Sequence, residues 1–147
     1  MKKPGPPDPD FESRIRSSFA RQGLMETIGA NLVKVAPGEA EIELPYSKAI
    51  TQQHGFVHAG IVSTIADNAC GYAAYTLMPA DSEVLGVESK INYLAPAKGE
   101  RLVGVGRVIK AGRTLAVCSG EVWAYNNGEK TLVAVMQTTM MTVAKQG

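Results

Sequence analysis

"QQHGFVHAGIVSTIADNACGYAAYTL", Gln52 to Leu77, sets two histidines, three glycines and one aspartate on or beside an otherwise apolar run. From Ala59 to Met78 the residues are small or apolar around the whole circumference of a helix, the composition of an element covered on most sides. One acid, Asp67, sits in the middle of it. The run approaches membrane-spanning length, yet Asp67, Asn68, Ser63 and Thr64 make insertion costly, so a core helix is expected and no membrane partner. A buried aspartate is then expected at position 67, and an aspartate buried there needs a partner or a task.

Upstream, "ANLVKVAPGEAEIELPY" alternates apolar and polar residues over Leu32–Val35 and Ala40–Leu44 around Pro37-Gly38, the pattern of a hairpin. Before it, Phe11, Ile15 and Phe19 recur four apart, which predicts a short amphipathic helix capped by Asp10 and stopped at Gly23. Residues 1–9 are read as a mobile arm because "KPGPPDP" propagates neither helix nor central strand, and residues 10–147 as one domain. Downstream come four strand-like segments, Val84–Leu94, Arg101–Lys110, Thr114–Tyr125 and Thr131–Val143, punctuated by turn signals. The short connections between the last three require antiparallel neighbours.

A chain of 147 residues with 45% apolar and 20% charged side chains has the ordinary balance of a globular domain. Its net charge is +1 with Lys and Arg scattered, so the footprint of a nucleic-acid binder is missing. Cys70 and Cys118 lie in apolar segments without CxxC spacing and are expected as buried free thiols. The opening "MKKPGPPDPD" lacks an apolar h-region and is no secretory signal; a cytoplasmic address is expected.

One helix apolar all round needs the curved face of a long sheet as cover. The expected class is α+β, a hotdog: an antiparallel sheet wrapped around one central helix. Open edges on such a sheet favour pairing with a second copy, hence a homodimer at least.

The segments "HGFVHAGIVSTIAD", "INYLAPAKGERL" and "VIKAGRTLAVCSGEVW" resemble the PaaI-type acyl-CoA thioesterases of the hotdog superfamily, over roughly Leu32 to Val143. The resemblance implies hydrolysis of an acyl-CoA to free acid and CoA, at a site on a dimer interface, with dimers pairing into a tetramer. In the family a His-Gly-Gly turn opens the central helix and an acid further along activates water. Carried over, the turn is His58-Ala59-Gly60, the acid is Asp67, and the N–H that polarises the thioester carbonyl belongs to Ala59. Three departures stand out. Gln52 takes the place of a common asparagine, Ala59 that of a glycine, and Gly86 lies near a water-holding Ser or Thr of some members.

Physical chemistry supports the same assignment, since a helix N-terminus offers unpaired N–H groups and partial positive charge to a developing oxyanion. Asp67 lies seven residues beyond Gly60, about two turns along the helix, so a partner subunit is expected to complete the site. As base or as nucleophile, Asp67 remains open between the two roles. His58 is expected to hold the turn by bonding backbone more than to transfer protons. Gln52 orients water or carbonyl, or is an exposed loop residue; His54 lines the site's mouth or sits in the loop. Gly55 between the histidines and the lack of a third ligand exclude a metal, and no cofactor is expected. For the CoA phosphates the candidates are Lys90 and Asn92 on the strand after the helix and, first, Arg113 in "KAGRT". Tyr93, Trp123 and Tyr125 are read as sheet packing. An enoyl-thioester hydratase and a non-catalytic acyl-CoA binding module are the alternatives.

Overall fold

The computed structural model describes residues 5–146. Residues 1–4 of the expected arm lie outside the described residues. Two short helices, α1 (Phe11–Ala20) and α2 (Gly23–Ile28), precede a hairpin of β1 (Asn31–Ala36) and β2 (Glu39–Pro45). The long helix α3 (Ala59–Tyr75) follows, then β3 (Ser82–Tyr93), β4 (Arg101–Ala111), β5 (Leu115–Asn126) and β6 (Glu129–Ala144). The six strands form one antiparallel sheet in the order β1-β2-β4-β5-β6-β3. Sequential β3 and β4 are therefore not neighbours: β3 crosses over to pair with β6 and ends as an edge. The hotdog architecture read from the pattern is the observed one.

Register irregularities that leave an extra residue in β1, β3, β4 and β6 add local bend and twist, which lets the sheet curl around α3. How near the helix comes is set by glycine. Gly106 on β4 is paired directly with Gly120 on β5, two residues along from Gly104. A Cβ on Gly104 would stand 2.8 Å from the Ile65 carbonyl oxygen, one on Gly120 2.9 Å from Cys70 Sγ, and one on Gly106 would overlap the Ala69 backbone. Ala66, Ala69 and Ala73 present matching small side chains and are fully buried. Cys70 and Cys118 are buried free thiols, and burial pushes the Cys118 thiol up to about 12, so neither is a ready nucleophile.

The N-terminal segment departs from expectation. Helix α1 ends at Ala20, and Gly23 opens a second helix instead of stopping the first; Gly29, at φ 79°, closes α2 in the left-handed region. Asp10 makes no side-chain cap bond. Asp8 does the local work: its Oδ1 accepts from Asp10 N–H at 2.9 Å and its Oδ2 pairs with Arg14 Nε at 2.9 Å. Arg14 in turn donates to the carbonyls of Tyr75, Met78 and Pro79 and stacks over the Tyr75 ring at 4.2 Å. These carbonyls lie at and just beyond the C-terminal end of α3, where backbone acceptors lack helical partners and a cation is favoured. Arg14 thereby fastens α1 to the end of the central helix.

Gly106→Ala should cost about 3 kcal/mol of stability in urea denaturation, because backbone must move to admit the methyl group. Gly23→Ala, with nothing near the added carbon, should stay within about 0.5 kcal/mol.

Candidate active site

The loop before α3 is held by its own polar groups. Gln52 N–H donates to Phe56 C=O, Gly55 N–H to Gln52 C=O, and Gly55 takes φ 84°. The Gln52 side chain folds back so that Oε1 accepts from His54 N–H at 2.6 Å and Phe56 N–H at 3.3 Å. That commits the amide oxygen to the loop and leaves its NH2 as the end able to meet a ligand. His54 is exposed, with its backbone tied into this turn, and lines neither cavity described below.

His58 is the N-cap of α3, as the turn-holding role requires: Nδ1 accepts from Gly60 N–H at 2.8 Å. A Cβ on Gly60 would stand 3.0 Å from that nitrogen, so glycine at 60 is what lets the imidazole fold onto the helix start. The His58 carbonyl accepts from Ile61 and Val62. Of the first four N–H groups in α3, only that of Ala59 has no acceptor among the described residues. Ala59 and Gln52 share a cavity of about 430 Å³ with Phe56, Val62 and Tyr93. Tyr93, read from sequence as packing, stands instead at this wall, its hydroxyl 3.3 Å from both the Ala59 carbonyl oxygen and Ser63 Oγ. Strand alternation hid it, since a tyrosine near a strand end carries no signal of what it faces.

Ala59, Ser63 and Asp67 follow at four-residue spacing along one side of α3. This side faces away from the glycines of β4 and β5, and Asp67 is exposed on it instead of buried. Neighbouring protein nevertheless desolvates the carboxyl and raises its pKa above the ordinary 3.8. Beside it lies a second cavity of about 270 Å³, lined by Asp67, Gly71, Gly86, Glu83, Met140 and the N-terminal helices. A Cβ on Gly86 would sit 3.8 Å from Asp67 Oδ1, ordinary contact, so the glycine leaves open space next to the carboxylate. Asp67 and Gly86 are thus brought together; Ala59, Gln52 and Gly60 gather around the other cavity's end of α3. Eight residues of helix, about 12 Å, separate Ala59 from Asp67.

The basic candidates lie elsewhere. Lys90 and Asn92 are exposed on β3, opposite Gln137 and Val135, and alternate with Ile91 and Tyr93, the residues that turn toward α3. Arg113 lies past the other end of the helix, near Ala74, Leu77 and Met78. No cluster of three or more metal-ligating side chains occurs among the described residues.

Comparison with known proteins places this geometry. The family model described as Thioesterase superfamily matches residues 54–131. A solved thioesterase family protein from Silicibacter pomeroyi is 48% identical, with a TM-score of 0.90 over 91% of this chain and 98% of that one. Acyl-coenzyme A thioesterase 13 of Mus musculus is 31% identical over 101 residues, 67% of this chain and 70% of the relative. The PaaI protein of the E. coli phenylacetic acid degradation operon, 16% identical, shares the fold with a TM-score of 0.82 over 93% of this chain and 96% of its own. Sequence and fold agree that the chain belongs to the thioesterase superfamily and has its hotdog architecture.

Proposed function

We propose that this chain hydrolyses acyl-CoA thioesters to a free acid and CoA. Ala59 N–H is assigned to polarise the thioester carbonyl and Asp67 to activate the attacking water. The observation that carries the reading is the Ala59 N–H at the start of α3, which has no acceptor among the described residues, on a residue that lines an apolar cavity together with Gln52. A partly desolvated carboxylate with open space at Gly86 supports the second role, because a raised pKa makes a carboxylate a stronger base and the space admits water. The Gln52 NH2 can only donate, so it suits the carbonyl better than the water. His58 Nδ1 is engaged by Gly60, which disfavours a hydratase that would need the imidazole for proton transfer.

One carbonyl cannot touch Ala59 N–H and Asp67 of the same chain across about 12 Å. The reading therefore needs a homodimer in which Ala59 of one protomer faces Asp67 of the other. Support comes from β3, an edge strand whose Leu85 and Val87, with Leu94 just past its end, are more than half exposed, a surface that invites pairing with a second copy. Dimers pairing further into a tetramer follow from the family resemblance, as do Lys90, Asn92 and Arg113 as contacts for the CoA phosphates. The site needs no cofactor.

A free-thiol release assay over short, medium, long-chain and aryl acyl-CoAs tests the assignment. Asp67→Asn and Asp67→Ala should each lower kcat by about a hundredfold or more with the dimer intact; variants as active as wild type would remove Asp67 from the mechanism. As a base Asp67 must be ionised, so kcat/KM should fall with decreasing pH along a limb centred above 3.8. The same shift has a stability consequence of defined sign. A carboxyl whose pKa is raised on folding favours the folded state only when protonated, so the ionised form destabilises it once the pH exceeds the folded pKa. Asp67→Asn should accordingly raise Tm at neutral pH, and the difference should shrink as the pH falls through the carboxyl's range.

A further inference from the structure

The cleft beside Asp67 has a wall that comes from outside the sheet. Ser18 near the end of α1 and Gln22 at the start of α2 close it against Asn68 and Tyr72 of α3. Gln22 Nε2 donates to Asn68 Oδ1 and to the Tyr72 hydroxyl, both at 2.6 Å, and Ser18 Oγ lies 3.2 Å from that same hydroxyl. The orientation of each amide follows from one carbonyl. Asn68 Nδ2 donates to Thr64 C=O at 3.1 Å, and a carbonyl only accepts, so the other end of Asn68 is its oxygen. The group that meets this oxygen is then Gln22 NH2. Both Gln22 donors are thereby used inside the wall, and Gln22 Oε1 is left as an acceptor without a partner among the described residues. It sits on a half-buried residue in a cleft whose remaining acidic groups, Asp67 and Glu83, repel a distal carboxylate.

We propose that Gln22 is a specificity residue that accepts a hydrogen bond from a neutral hydroxyl at the distal end of a compact acyl group. The proposal rests on the thioesterase reading, in which the acyl group lies beside Asp67. The cavity's 270 Å³ falls just under the usual range for small-molecule sites, about 300–1,000 Å³, and this polar wall lines it, which disfavours long alkyl chains. An acyl group without the hydroxyl strips water from Gln22 Oε1 and gives nothing back, and sites built around a substrate hydroxyl discriminate on that basis.

The test compares butyryl-, valeryl- and hexanoyl-CoA, each with and without a terminal hydroxyl. Wild type should favour the hydroxylated member of at least one pair by about tenfold or more in kcat/KM, and Gln22→Met should bring that ratio within about threefold of unity. Tyr72→Phe removes one of the two groups that orient Gln22 while keeping the ring against Phe19, and should give an intermediate ratio; it carries the test if Gln22→Met does not fold. Calorimetric Kd values for the same intact thioesters, measured on Asp67→Asn, should show the same preference and its loss in Asp67→Asn combined with Gln22→Met. A ratio near unity for every pair in wild type, or a preference that survives Gln22→Met, overturns the role of Gln22 while hydrolysis stands. No thiol release from any thioester, alongside a binding preference that Gln22→Met abolishes, overturns hydrolysis and supports Gln22. Loss of both turnover and preferential binding overturns both.

Discussion

The contact on which the rest of the molecule depends is backbone against backbone: α3 lying on the paired glycines Gly106 and Gly120, with Gly104 beside them. Side chains at those positions would lift the helix off the sheet. Because they are absent, the helix is sunk into the sheet's concave face and its buried alanines fill the narrow gap. Depth in turn decides which residues of α3 remain outside. The side carrying Ala59, Ser63 and Asp67 is turned away from the glycine floor and meets the sheet at β3, through Tyr93 and Gly86, so the polar positions of an otherwise apolar helix are sorted away from the core by packing.

That sorting gives Asp67 its chemistry. In full solvent its carboxylate would be a weak base, and fully buried it would stay protonated near neutral pH. An open helix side beside a cavity, next to a glycine, is the intermediate setting, with partial desolvation and access for a small molecule. At the other end His58 serves by removing an alternative: it occupies Gly60 N–H and leaves Ala59 N–H as the open donor at the helix start. The alanine where the family usually has glycine does not impair that donor, since it has ordinary helical backbone as the first residue of α3.

Much of this was legible in the residues. Strict alternation marks β2, where Ala40, Ile42 and Leu44 are buried, and the small apolar run marks α3 because nothing else in the chain could be covered all round. The His-x-Gly turn and the acid nine residues on pointed to the helix start and to Asp67. What stayed hidden depends on partners distant in sequence. Gly106 and Gly120 look like weak points of strands until the helix above them is known. Gly23 read as a stop because glycine after an amphipathic run usually is one, yet here Gln22 is held by Asn68 and Tyr72 and a second helix follows. Asp67 looked buried because its neighbours in sequence are apolar, although those neighbours bury themselves on the other side of the helix.

The clasp between Arg14 and the end of α3 divides the molecule's labour. Ala59 and Asp67, the residues proposed to polarise a carbonyl and to activate water, stand on α3, fixed by close packing on the glycine floor. Cleft-wall residues Ser18 and Gln22 belong to a segment that pairs with no strand, clasped by Arg14 near one end and seated on the core through Ile15, Met25 and Ile28. Substitutions in that segment can reshape the cleft without disturbing the glycine floor. A lineage of such proteins is therefore free to exchange what it recognises while keeping how it reacts, and the first thirty residues are where relatives with the same chemistry should differ most.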